Sequence, residues 1–77
     1  MIRIKVAELM GRHKLTQTKL AEMTGIRPNT VSALWHGTIK RIEIDQINRL
    51  CKALKCQPGD LFEYVSDDED SHSQENK

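Results

Sequence analysis

The chain has 77 residues, a formal net charge of +1 and 30% charged residues. That length allows one domain with a modest core and excludes a multi-domain enzyme. Two cysteines are too few for a secreted disulfide scaffold, and no apolar run approaches the ~18 residues of a membrane span, so the expectation is a small soluble intracellular domain with no leader.

Residues 2–4 alternate apolar and basic side chains, a strand pattern. From Val6 the spacing turns helical, with Leu9 and Met10 on one face, so a first helix is predicted over about 5–13. Thr16 is a good N-cap, because its hydroxyl can accept from a free amide of the next turn. It opens a second helix, Gln17 to Thr24, whose inner face is expected to hold Leu20, Ala21, Met23 and Thr24. Gly25 should end that helix in a left-handed conformation, which carries no Cβ penalty for glycine. Pro28 suits the first position of a third helix, where a missing amide costs nothing, and Gly37 stops it.

Residues 38–43 read as a loop holding Lys40 and Arg41. Ile44, Ile47, Leu50, Cys51 and Leu54 then recur at three- and four-residue steps, predicting a fourth helix over 44–55. Pro58 begins one more short turn through Leu61. Phe62 to Val65 could form a last strand pairing with Ile2–Ile4. No apolar residue follows Val65, so residues 66–77 are expected to be a disordered acidic tail. The predicted fold class is all-α: a compact five-helix domain over 1–65, with short terminal strands.

The charge is segregated. Residues 66–77 hold five acids and one Lys, and residues 1–65 hold 11 bases against 6 acids. Within residues 12–41 there are six bases and one acid, Glu22. A basic stripe on a small domain is a footprint for polyanions; a solvated surface with counter-ions is the plainer alternative.

The third helix is informative by angle. At about 100° per residue, Val31 and Leu34 share the side that must be buried. The opposite side carries Asn29, Ser32, Ala33 and His36, with Thr30 and Trp35 on its flanks. This face is polar, short-chained and free of acids. Asn can pair with adenine through two hydrogen bonds, Ser can reach several base edges, and Ala can touch a thymine methyl. A helix of that width fits the major groove. Trp35 is expected to pack at the helix edge.

The stretch from Leu15 to Gly37 resembles the helix-turn-helix of the lambda repressor and Cro family, also called the XRE family. The family pattern is met by Gln17, Leu20, Ala21, Gly25, Ile26, Val31 and Leu34, seven positions in a motif of about twenty. The resemblance covers residues 5–62, with the motif at 17–36 and the recognition helix at about 28–36. It implies a double-stranded-DNA-binding transcriptional regulator, expected to be a cytoplasmic repressor of bacterial or prophage origin. It also implies that Pro28, Asn29, Thr30, Ser32 and Ala33 face base edges. Gln17, Arg27, His36, Lys40 and Arg41 would contact the DNA backbone. Pro28 departs from the phage members, which place Gln there, so readout of DNA shape gains weight at this position.

Other chemistry has little support. Cys51 and Cys56 lie five apart, about 140° round a helix, so an intrahelical disulfide is not expected, and the spacing is not that of a zinc knuckle. His13, His36 and His72 fall in three separate segments. Ser32 and His36 share a helix, but no carboxylate is placed to orient the His. No enzymatic activity, cofactor or metal is expected. The partners expected are double-stranded DNA and a second copy of the chain, with Phe62, Tyr64, Val65, Ile2 and Ile4 as the apolar surface for the dimer. A second reading stays open: an antitoxin or protein-interaction adaptor on the same fold, with a protein partner.

Overall fold

The computed structural model describes residues 1–66. The elements run β1 (Ile2–Ile4), α1 (Val6–Arg12), α2 (Gln17–Thr24), α3 (Pro28–His36), α4 (Ile44–Leu54), α5 (Pro58–Leu61) and β2 (Phe62–Tyr64). The fold is mostly helical, as the periodicity predicts, and the short terminal strands are present. The acidic run expected to form a tail lies outside the described residues from Asp67 onward.

Local chemistry sets the helix ends. Thr16 Oγ1 accepts from the Lys19 amide at 3.0 Å, which caps α2. Gly25 and Gly37 close α2 and α3 with φ of +74° and +71°. At α4 the Glu43 amide donates to Gln46 Oε1 at 3.0 Å, and at α5 the Gln57 amide donates to Asp60 Oδ2 at 2.9 Å. Each bond satisfies a backbone donor at a helix start.

The core is one cluster: Val6, Leu9, Met10, Leu20, Ile26, Val31, Leu34, Leu50, Leu54 and Leu61. α2 packs on α3 and α4, and α1 packs on α3. Thr24 is the buried polar residue of this region. Its hydroxyl donates to the Leu20 carbonyl at 2.7 Å and accepts from the Ile26 amide at 3.1 Å, so the turn between α2 and α3 is satisfied from within. β1 and β2 pair antiparallel, Ile2 opposite Tyr64 and Ile4 opposite Phe62. Arg3 Nε donates to Glu63 Oε1 at 2.9 Å on the outer side, an exposed ion pair of little stabilising value.

Two inner-face expectations fail. Met23 is 48% exposed, because α2 buries its Leu20–Thr24 side and Met23 lies on the opposite flank of Leu20. Ile44 is 80% exposed. The core side of α4 centres on Leu50 and Leu54, and Ile44 lies about 80–120° round the helix from them. The cysteines also depart from the helical extrapolation. α4 ends at Leu54, Lys55 turns left-handed at φ 53°, and the Cys56 amide donates to the Cys51 carbonyl at 3.1 Å. That closure folds Cys56 back beside Cys51. Both thiols are free and half-buried. Burial, together with the neighbouring Cys51, pushes the Cys56 thiol up to about 11. It therefore stays protonated near neutral pH and is a poor nucleophile.

Gly25 also meets a long-range constraint. A Cβ there would lie 3.1 Å from Arg49 Nη1, and Arg49 is held by Asp45 at 2.9 Å and donates to the Thr24 carbonyl at 3.0 Å. A Cβ at Gly37 would meet nothing within 4 Å. Gly25→Ala and Gly37→Ala should each lose about 1–2 kcal/mol to the left-handed backbone. Gly25→Ala should lose up to about 1 kcal/mol more by displacing the Arg49 hydrogen bond. Urea denaturation of both variants measures the difference. Equal losses would mean that the guanidinium shifts at no cost.

Candidate nucleic-acid interface

α3 is held from behind by Val31 and Leu34, both fully buried. Because these two residues fix its rotation, the face carrying Asn29, Ser32, Ala33 and His36 turns outward. Asn29 and His36 are exposed, whereas Thr30, Ser32 and Ala33 are half-buried. His36 curls back on its own helix. Its Nδ1 donates to the Ser32 carbonyl at 2.9 Å and lies 3.5 Å from Ser32 Oγ.

The loop after α3 is pinned rather than loose. The Thr38 amide donates to the Ala33 carbonyl at 2.9 Å, and Ile39 and Ile42 pack against the core. Lys40 and Arg41 lie between these anchors and are exposed. The structure brings Asn29, Thr30, Ala33, Lys40 and Arg41 into one shallow concavity of about 390 Å³. Thr38, Glu43 and Gln46 share it and were not among the sequence-predicted residues. Gln46 and Glu43 come from the start of α4, and only the fold places them there.

A second groove, of about 520 Å³, lies between α2 and α3 and is lined by Gln17, Arg27 and Pro28 with Ala21 and Ile26. The two depressions flank the N-terminal end of α3, where Pro28 and Asn29 are adjacent. Ser32 and His36 line neither. The N-cap of α3, Arg27, gives no side-chain hydrogen bond, so the first-turn amides are left to solvent or to an anion. None of Lys19, Arg27, Lys40 and Arg41 is in an ion pair among the described residues. Arg27, Lys40 and Arg41, cations without an ion pair in the two depressions beside the acid-free face of α3, form a surface suited to phosphate.

Two short helices joined by a glycine turn, the second presenting a polar face beside free cations, define a helix-turn-helix. The family comparison agrees: residues 5–67 match the Cro/C1-type HTH DNA-binding domain, and the chain belongs to that family. The HTH-type transcriptional regulator YozG of Bacillus subtilis strain 168, itself uncharacterized, is 38% identical over 66 residues, covering 86% of this chain and 79% of YozG. A crystal structure of a Bacteroides fragilis protein superposes with a TM-score of 0.71 at 21% identity, over 82% of this chain and all of the other. That likeness concerns the fold. No helix among the described residues is long and apolar enough to cross a membrane.

Proposed function

We propose that the chain is a cytoplasmic, non-enzymatic transcriptional repressor that binds specific double-stranded DNA as a homodimer. α3 enters the major groove in this reading, and the working unit is residues 1–65. Asn29, Thr30, Ser32 and Ala33 discriminate bases, and Pro28 approaches them through shape. Gln17, Arg27, Lys40 and Arg41 hold phosphates on either side, with His36 adding a contact through its second ring nitrogen. Two such helices about 34 Å apart would read successive major grooves on one side of the duplex. One observation carries the reading: Lys40 and Arg41 share a concavity with Asn29, Thr30 and Ala33, so phosphate-binding and base-reading groups fall within one footprint.

Selection from a random duplex pool, with the full chain at near-physiological salt, tests it. Enrichment of a two-fold symmetric site is expected. Weak, strongly salt-dependent binding without enrichment would remove base reading and turn attention to a protein partner, as for an antitoxin or adaptor.

Arg41→Ala should weaken binding about equally on selected and random duplexes. The slope of log affinity against log salt should fall by about one, the signature of one lost phosphate contact. Fluorescence anisotropy titrations at several salt concentrations read both quantities. An unchanged slope with an altered base preference would take Arg41 out of the phosphate set.

A further inference from the structure

Cys51 and Cys56 are brought together by the way α4 ends. In a continuous helix, residues five apart stand about 7.5 Å apart along the axis, on different sides. That exceeds the roughly 4.4–6.8 Å between Cα atoms that a disulfide spans. The chain leaves that path at Lys55, whose left-handed φ of 53° turns it back. The Lys55 and Cys56 amides then both donate to the Cys51 carbonyl, the second at 3.1 Å. Such a closure sets the residues at its two ends side by side. The path from Cα to Cα through that hydrogen bond is at most about 7.3 Å when straight, and the angles at nitrogen and carbon shorten it into the disulfide range.

The side chains follow the backbone. Burial is the main cause of the raised Cys56 thiol, and the next causes are the charge of Cys51 and a side-chain hydrogen bond with it. Both residues are half-buried, and they line one shallow groove of about 340 Å³ with Ile47, Asn48 and Pro58. Among the described residues no group of three or more His, Cys, Asp and Glu could hold a metal ion, so the chemistry open to this pair is that of two thiols.

We propose that Cys51 and Cys56 form a reversible dithiol–disulfide site, oxidised by low-molecular-weight disulfides to a bond that staples the end of α4 to the link into α5. The inference stands apart from the DNA reading.

The exchange balances in two steps. The Cys51 thiolate attacks one sulfur of the small disulfide, forms a mixed disulfide and expels one small thiolate. Cys56 gives its proton to solvent, attacks the Cys51 sulfur and expels the second. The chain loses two protons and two electrons, one sulfur–sulfur bond replaces another, and two small thiols are produced. Cys56 suits the closing step: its thiolate fraction is low, but its sulfur is already placed beside the one it must attack. The bond would clamp the corner between Leu54 and Leu61, both core residues. A fold that favours the bond is stabilised by it to the same degree, because the two effects close one thermodynamic cycle.

Equilibration of the full chain, at low micromolar concentration, with mixtures of reduced and oxidised glutathione tests this. Acid-quenched samples are alkylated at free thiols and weighed by mass spectrometry. The expected product takes up no alkyl group, carries no glutathione and is two hydrogens lighter than the reduced chain. In urea the two cysteines are tethered only by the four residues between them. Their effective concentration in the folded chain should exceed that in urea by at least about tenfold. The oxidised chain should melt higher than the reduced one and revert on reduction, whereas Cys51→Ser under the same oxidant should show no such rise. A wild type that accumulates glutathione adducts or linked dimers in place of the internal bond overturns the proposal. So do thiols that stay open to alkylation throughout, and closure that is no more favourable in the folded chain than in urea.

Discussion

Leu34→Ala is expected to cost about 2–5 kcal/mol of folding stability. Leu34 is fully buried on the inner side of α3, within the cluster shared by α1, α2 and α4. Removing its branched end leaves a cavity that a core of ten side chains has little means to collapse into. At about 0.05–0.15 kcal/mol per residue, a domain of this size holds only about 3–10 kcal/mol in all. One truncation therefore removes a large part of it, and the melting temperature should fall by at least about 10 °C. Trp35→Ala is the control. It deletes more atoms from the same helix, but Trp35 is 40% exposed, so the loss should be smaller. Thermal and urea denaturation of both variants decide the matter. A loss under about 1 kcal/mol for Leu34→Ala would mean that α3 is not held by that anchor. The outward setting of Asn29 would then need another cause.

The helix boundaries were legible because their causes are local. Thr16, Gly25, Pro28 and Gly37 act on the backbone within one turn, and α2 and α3 begin and end where these residues dictate. Both faces of α3 could be read for the same reason: Val31 and Leu34 are its large aliphatics, and the rest follows by rotation. Residues on the flank of an apolar stripe were not legible. Met23 and Ile44 satisfy the helical spacing, but their burial depends on what arrives at that side: Met23 only lines an open groove with Arg49, Lys52 and Ala53, and Ile44 stays 80% exposed. Cys51 and Cys56 defeated the extrapolation because a left-handed Lys55 breaks the helical angle between them. Lys40 and Arg41 were legible as candidate backbone contacts through the family resemblance, but the fixed shape of their loop was not, since the packing of Ile39 and Ile42 that pins it is tertiary. Gln46 and Glu43 join the α3 concavity through the placement of α4, which no local pattern encodes.

Asn29→Ala, under the proposed function, is expected to relax preference at one base pair of each half-site by about 1–3 kcal/mol, a factor of roughly 5 to 150. Asn29 is exposed at the second position of α3 and shares its concavity with Lys40 and Arg41. Its side chain makes no hydrogen bond among the described residues, so both its donor and its acceptor are available to a base edge. The carboxamide matches the paired acceptor and donor of adenine in the major groove, whereas a methyl group matches neither. The loss should therefore fall on the preferred base and leave affinity for the other three nearly unchanged. Folding should not suffer: alanine is the better helix former, and no internal partner is abandoned. This separates the effect from that of Leu34→Ala, where binding is lost because the helix is lost. It also separates it from Arg41→Ala, which should lower affinity without changing preference. Binding measured across all single-base variants of the selected site, for wild type and Asn29→Ala, gives the profile. If the two profiles coincide, Asn29 is not a base-reading residue, and discrimination must rest on Thr30, Ser32 and Ala33 or on the shape of the duplex.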